Sequence, residues 1–249
     1  MIVQTHESQA IVEYLKQNYI TNLNILGVLQ NHTGIEIYVD SPENPTGVLV
    51  RSGYFNYVYT ENDEFLQEIL DKLFIEKGYY GFSGVSRPIA EKIQKTKRFE
   101  LDWQNRCSLY YLPKENLDLS LQKNPVQSID IKDAETVDSF YTFRSDDSID
   151  DIKECISNRP SSAVYVNGDM ASWVLVHDDN SMGIMYTKDE YRKKGYAVDV
   201  TIDLSRKTFE IGNIPFLHIA ETNSMSPGLA LKCGFIPQGY ADWFGIKIV

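Results

Sequence analysis

At 249 residues the chain has room for one large or two medium domains, and an apolar share of 43% with 12% aromatic residues excludes a disordered chain. A formal net charge of -11 repels phosphate backbones and anionic lipid, which argues against nucleic-acid and membrane partners. No apolar run is long enough to span a bilayer, the N-terminus lacks a basic-then-apolar leader, and Cys107, Cys155 and Cys233 are too scattered for a disulfide framework or a zinc knuckle, so a reducing cytoplasm is the expected setting.

Hydrophobic period and turn residues place the elements in chain order. A helix is predicted over 8–18 and a strand over 35–39, followed by apolar strands through Val48-Leu49-Val50 and Val58-Tyr59-Thr60. A helix over 64–75, a strand over 79–83, a helix over 88–95 and a closing hairpin of strands 99–103 and 108–111 complete the first half. The stretch 113–125 is polar, lacks apolar periodicity and reads as a linker. Beyond it come helices over 134–143 and 149–157, a strand over 163–166, and strands through Val174-Leu175-Val176 and 182–187. A helix over 197–204, a strand over 216–220, a helix over 226–232 and a second closing hairpin, 235–240 with 244–248, end the chain. Helices inserted between strands imply an α/β fold with mixed sheets covered on both faces.

The order repeats. Val48-Leu49-Val50 is followed by Tyr59-Thr60-Glu61-Asn62-Asp63-Glu64-Phe65, and Val174-Leu175-Val176 by Tyr186-Thr187-Lys188-Asp189-Glu190-Tyr191. Short strands carry little information and can match by coincidence, but the same succession of elements surrounds both copies. The expected organisation is two like halves, 1–120 and 121–249, each with a central mixed sheet flanked by helices.

The halves part at one turn. Phe65 runs straight into Leu66-Gln67-Glu68-Ile69, whereas Tyr191 is followed by Arg192-Lys193-Lys194-Gly195-Tyr196-Ala197. A strand that leads into small residues at a helix start exposes unpaired N–H groups, and the helix dipole adds partial positive charge there. Gly195 and Ala197 leave room for a pyrophosphate, and Arg192, Lys193 and Lys194 surround it with charge. Taken alone, the same residues also fit a basic solvated turn on an ordinary helix.

In context, Arg192-x-x-Gly195-x-Ala197 after a predicted strand resembles the cofactor signature Q/R-x-x-G-x-G/A of the GNAT superfamily. Phe216 to Asn223, then Ser226, then Leu231-Lys232-Cys233-Gly234-Phe235, looks like the fifth strand and fourth helix of that family. More narrowly, Thr187 to Gly195 together with Trp243 resembles the glycine N-acyltransferase-like branch, with Asp189 standing where Pro is usual. The resemblance is strong over 160–249 and fainter before, where it implies a degenerate GNAT-like copy without a cofactor turn. It implies acetyl-CoA or another acyl-CoA as cosubstrate and no metal. The backbone of Met185 and Thr187 would hold the pantetheine arm, and Arg192, Lys193, Lys194, Gly195, Tyr196 and Ala197 the pyrophosphate. Asn223 and Ser226 would flank the arm, although Asn223 also suits an N-cap of the following helix.

Acyl transfer to an amine needs a deprotonated nucleophile, donors for the developing oxyanion and a proton for the leaving thiolate. The resemblance assigns the donors to backbone N–H groups near Met185. The family's usual proton donor, a Tyr on the fourth helix, is replaced by Ala230, leaving Tyr186, Tyr240 or solvent. Glu221, at the end of the fifth strand, is the expected base, and His218 a weaker one, since a His in an apolar strand is more often a satisfied core group. No histidine spacing suggests a metal, and no nucleophile elbow suggests a covalent intermediate. The expected function is N-acyl transfer, with acetyl as the leading case, to a small-molecule amine or amino acid. The alternative is a GNAT-derived module that binds coenzyme A or a protein partner without turnover.

Overall fold

The computed structural model describes residues 1–249. In chain order the elements are β1 (Val3–Thr5), α1 (Gln9–Gln17), α2 (Leu23–Asn31), β2 (Glu36–Val39), β3 (Gly47–Ser52), β4 (Phe55–Thr60), α3 (Asp63–Leu73), β5 (Gly78–Ser86), α4 (Arg87–Gln94), β6 (Phe99–Asn105) and β7 (Cys107–Tyr111). A connection with short 3-10 turns leads to α5 (Ala134–Ser139), α6 (Ser148–Asn158), β8 (Ser161–Val166), β9 (Asp169–Val176), β10 (Met182–Thr187), α7 (Tyr196–Glu210), β11 (Phe216–Ala220), α8 (Ser226–Lys232) and β12 (Ile236–Ile248). No helix is long and apolar enough to cross a membrane. The fold is mixed α/β, with helices on the sheet faces.

The chain forms two compact units: Met1–Leu109 with His218–Thr222 and Pro237–Val249, and Tyr110–Leu217 with Asn223–Ile236. In the first, a nine-stranded sheet runs β1-β2-β3-β4-β5-β12-β7-β11, with β6 also on β12. Alternation along the strands sorts its side chains. Val48, Val50, Tyr57 and Tyr59 pack with Ile11, Leu15 and Val28 of α1 and α2, while Leu49 and Val58 pack with Phe65, Leu66 and Ile69 of α3. The parallel pairing of β4 with β5 is confined to Phe55 opposite Gly81 and Asn56 opposite Phe82.

The expected division at 1–120 and 121–249 assigns the chain's last strands to the second half, but the structure joins them to the first. β12 pairs antiparallel with β5 from Ala241 opposite Ser86 to Ile248 opposite Gly78, and with β6 from Trp243 opposite Asn105 to Ile248 opposite Phe99. Phe244, Ile246 and Ile248 thereby enter the same core as Phe65 and Phe82. Neither expected hairpin forms. Gly239 takes φ 94° and the register shifts between Asp242 and Phe244, so the chain bends within one long strand instead of reversing. The strand β1 and the helix α2 were not expected from the pattern; α2 is apolar on most sides and lacks the amphipathic period.

In the second unit β8, β9 and β10 form a three-stranded antiparallel sheet. Trp173 and Leu175 of β9 face Val137 of α5 and Ile152 and Cys155 of α6. Along α7, Asp203 accepts a hydrogen bond from the Ser162 hydroxyl of β8 at 2.7 Å and pairs with Lys207 at 2.8 Å.

Candidate functional site

The second unit concentrates its unusual backbone between β10 and α7. Gly183 pairs with Leu175 and Tyr186 with Trp173, so Ile184 and Met185 together oppose the single residue Val174. This is a β-bulge, which leaves an extra residue outside the ladder. Ile184 takes φ 50°, a left-handed value that strains a β-branched residue by about 1–3 kcal/mol and that clusters at functional sites. Gly183 makes the bend possible in a second way, because a Cβ there would lie 2.3 Å from His177 Nε2.

The end of β10 is tied down before the turn begins. The Thr187 hydroxyl bonds the Ser172 hydroxyl at 2.7 Å, Lys188 Nζ donates to Asp169 at 2.6 Å, and Arg192 pairs with Asp189 at 2.8 Å. Arg192 Nε also donates to the Thr187 carbonyl at 3.3 Å. Lys193 and Gly195 then take φ 62° and 89°, and α7 begins at Tyr196 with no side chain capping its first turn. A Cβ on Gly195 would meet nothing within 4 Å, so the space over this helix start is open. Arg192, Lys193 and Lys194 are exposed around it. From beneath, the buried Asp199 carboxylate accepts the backbone N–H of Lys123 at 2.6 Å and the Asn124 side-chain amide at 2.7 Å, fastening the connecting segment to α7. An uncapped helix start, open space and three cations fit a diphosphate.

Asn223 and Ser226 lie in the same unit, at the start of α8. Asn223 Oδ1 accepts the backbone N–H of Met225 at 3.1 Å and of Ser226 at 3.0 Å, and its Nδ2 donates to the Ser226 hydroxyl at 2.9 Å. These bonds fold the segment before α8, whose N-cap residue is Met225, around the Asn223 side chain. Ala230, at the position where the resemblance expects a Tyr, is buried. Tyr186 lies on β10 with its ring stacked on Phe140.

Glu221 belongs to the first unit and has another partner. Its Oε1 accepts Arg87 Nη1 at 2.9 Å, which ties the carboxylate to α4. Arg87 also binds Asp242 in a two-pronged pair, Nε to Oδ2 at 3.0 Å and Nη2 to Oδ1 at 2.9 Å, and stacks on the Tyr240 ring at 3.8 Å. These bonds hold the guanidinium even more firmly protonated than usual. Asp242 is 1% exposed and also accepts the Cys107 N–H at 3.1 Å. The expected base thus stands in a structural ion-pair cluster that locks α4, β7 and β12 together. No motif marks that cluster, because its members lie far apart in sequence.

His218, also in the first unit, accepts the Trp243 indole N–H on Nδ1 at 3.0 Å. An indole only donates, so the neutral imidazole carries its proton on Nε2. Burial pushes the thiols of Cys107 and Cys233 up, to about 12 and about 11, and that of Cys155 up as well. None of the three is poised as a nucleophile near neutral pH.

Residues 156–243 match the family described as FR47-like protein, a span that contains the bulge, the turn and α7. No curated protein sequence matches the chain. Among solved structures, a Drosophila protein determined by X-ray crystallography has a TM-score of 0.78 at 14% identity and covers 100% of this chain and 98% of its own. An acetyltransferase of the GNAT family from Colwellia psychrerythraea has a TM-score of 0.55 at 11% identity, covering 99% and 100%. A tandem GNAT protein of the clavulanic acid biosynthesis pathway has a TM-score of 0.55 at 11% identity, covering 100% and 99%. At these identities the likeness is one of fold: the chain shares the mixed α/β architecture of these structures, and its FR47-like segment lies mostly in the second unit and ends in the first, at Trp243.

Proposed function

We propose that the protein is an acyl-CoA-dependent N-acyltransferase with one cosubstrate site, in the second unit. The observation that carries this reading is the conjunction, along one strand and its turn, of the Ile184–Met185 bulge with the uncapped, glycine-opened start of α7. The N–H groups at the head of α7, with Arg192, Lys193 and Lys194, bind the diphosphate; the backbone of Met185 and Thr187 takes the amide groups of the arm. The bound cosubstrate supplies a thioester, the acceptor a free amine. The acyl carbon–sulfur bond breaks as a carbon–nitrogen bond forms, the amine's proton passes to solvent, and the thiolate takes a proton from the Tyr186 hydroxyl or water. Glu221 is not given the base role, because its carboxylate is held by Arg87.

The acceptor in this reading is a small-molecule amine, because the acidic chain offers no basic groove for nucleic acid. The glycine N-acyltransferase-like branch remains the narrower proposal, with the first unit as a GNAT-like copy that has lost its cofactor turn. Calorimetric titration with acetyl-CoA should give one site per chain, and an amine panel assayed by free-thiol release should identify the acceptor. Binding without thiol release for any amine would favour the second reading, a CoA-binding module without turnover, to which Ala230 and the engaged Glu221 lend weight.

A further inference from the structure

A cluster of three aromatic rings closes the sheet face beside the bulge. Phe140, the residue that ends α5, stacks on Tyr186 of β10 at 4.7 Å between centroids and 29° between planes. Both rings touch Trp173 of β9, at 5.6 Å from Phe140 and 5.5 Å from Tyr186. Tyr186 follows the bulge residues directly, and Ile184 packs into the same core as these rings. At such centroid distances the rings are in van der Waals contact, and no methylene chain fits between them. Trp173 is fully buried, whereas Phe140 is 39% exposed, so Phe140 is the outer wall of the cluster.

The wall is held in place. After Phe140 the chain reaches α6 through a loop pinned by the buried Asp138, which accepts Arg144 Nε at 2.7 Å and the Ser148 hydroxyl. The Ser148 hydroxyl in turn accepts the Ser145 N–H at 3.1 Å. Asp138 thereby fixes the backbone that carries Phe140, and stacking on Tyr186 and contact with Trp173 position the ring itself.

We infer that Phe140 sets the acyl-chain length this protein accepts, closing the space beside the bulge to acyl groups longer than a few carbons. The inference rests on the proposed binding of acyl-CoA along β10. Its chemical content is that the cosubstrate is a short-chain acyl thioester, and that specificity comes from an α5 residue and not from the strand that carries the arm. Truncating the ring removes the wall, and a longer chain then gains apolar contact with Tyr186 and Trp173 in place of the lost ring.

The test is calorimetric binding of free CoA, acetyl-CoA, butyryl-CoA and hexanoyl-CoA to the full chain and to the Phe140→Ala and Phe140→Leu variants, each checked for cooperative unfolding. The wild type should bind acetyl-CoA at least tenfold more tightly than hexanoyl-CoA. Phe140→Ala should lower that ratio at least tenfold, and Phe140→Leu, the variant less prone to loosen α5, should lower it less. An unchanged ratio in both folded variants, with free CoA still binding, overturns the inference and leaves the cosubstrate site standing. Failure of the wild type to bind free CoA overturns both.

Discussion

The passage from β4 into α3 in the first unit and from β10 into α7 in the second begin alike, with Tyr-Thr at the end of a strand, and then differ in every feature that would admit an anion. β4 keeps an unbroken register with β3, from Gly47 opposite Thr60 to Ser52 opposite Phe55, whereas β10 is bulged. The start of α3 is closed by its own sequence: Asn62 accepts the N–H groups of Glu64 at 2.9 Å and Phe65 at 3.4 Å, and Asp63 and Glu64 place carboxylates on the first turn. α7 has no cap, its one first-turn carboxylate, Asp199, is buried and bound to Lys123 and Asn124, and three cations precede it. Near α3 the first unit has a cleft of about 300 Å³ lined by Glu61, Asp63, Ser86 and Lys92, with Lys92 paired to Asp63 at 2.5 Å. A well-capped helix start spends its donors on itself; one left uncapped keeps them for a ligand.

Each prediction strains this contrast at a different point. The largest effect is expected at the head of α4. Replacing Arg87 at the head of α4 with Ala leaves the Asp242 carboxylate buried and unpaired, which should cost about 3–5 kcal/mol in urea unfolding. Ser226→Ala, at the head of α8, should stay within about 1 kcal/mol. Comparable losses at both positions would show that the C-terminal strand is not anchored through Arg87.

Gly195→Val should weaken acetyl-CoA at least about tenfold, because a β-branched residue resists the left-handed turn by about 1–2 kcal/mol and its side chain enters the open space over α7. Leu66→Val in α3 should lower the melting temperature and leave affinity alone. Unchanged affinity in the Gly195 variant, or two sites per chain by calorimetry, would erase the asymmetry between the units.

The hairpins that feed the two strands differ as well. Gly53 lies at the exposed β3–β4 turn, whereas Asp179 in the β9–β10 turn is 1% exposed. Burial and the neighbouring Asp178 raise the Asp179 carboxyl well above its ordinary 3.8, to about 7, despite bonds from Ser181. The folded protein therefore holds this proton longer than the unfolded chain does, so the associated stability is intact below about pH 4 and is lost as pH rises through 7. Asp179→Asn should be more stable than wild type at pH 8 by over ~1.4 kcal/mol, one pKa unit's worth, with the advantage shrinking at pH 4. An equal difference at both values would show that Asp179 does not titrate in this window.

The smallest effect is expected at Lys193, exposed at φ 62°. Lys193→Gly relieves left-handed strain but adds chain entropy to the unfolded state, for a net gain of about 0.5 kcal/mol. Removing its charge should also shallow the salt dependence of acetyl-CoA binding. A stability loss would show that Lys193 is not strained at this φ, and an unaltered salt slope would place this cation outside the anion's reach.

Local rules sufficed wherever the determinant was local. Most of the strands and helices, though not β1, α2 or the two hairpins, and the turn from Arg192 to Ala197 could be read from neighbouring residues, because hydrophobic period and small residues act within a few positions. The sequence by itself therefore determined a mixed α/β chain with a basic, glycine-opened helix start in its second half, the turn proposed here to hold the diphosphate. What it left undecided depended on residues brought together from afar. That Ile236–Ile248 forms one strand beside β5 was decided by Phe244, Ile246 and Ile248 finding a core made by the first unit. That Glu221 is an ion-pair member was decided by Arg87, which no spacing connects to it. The left-handed Ile184 and the Phe140 wall exist because packing around them holds a strained backbone and an exposed ring in one place, and packing is a property of the folded chain.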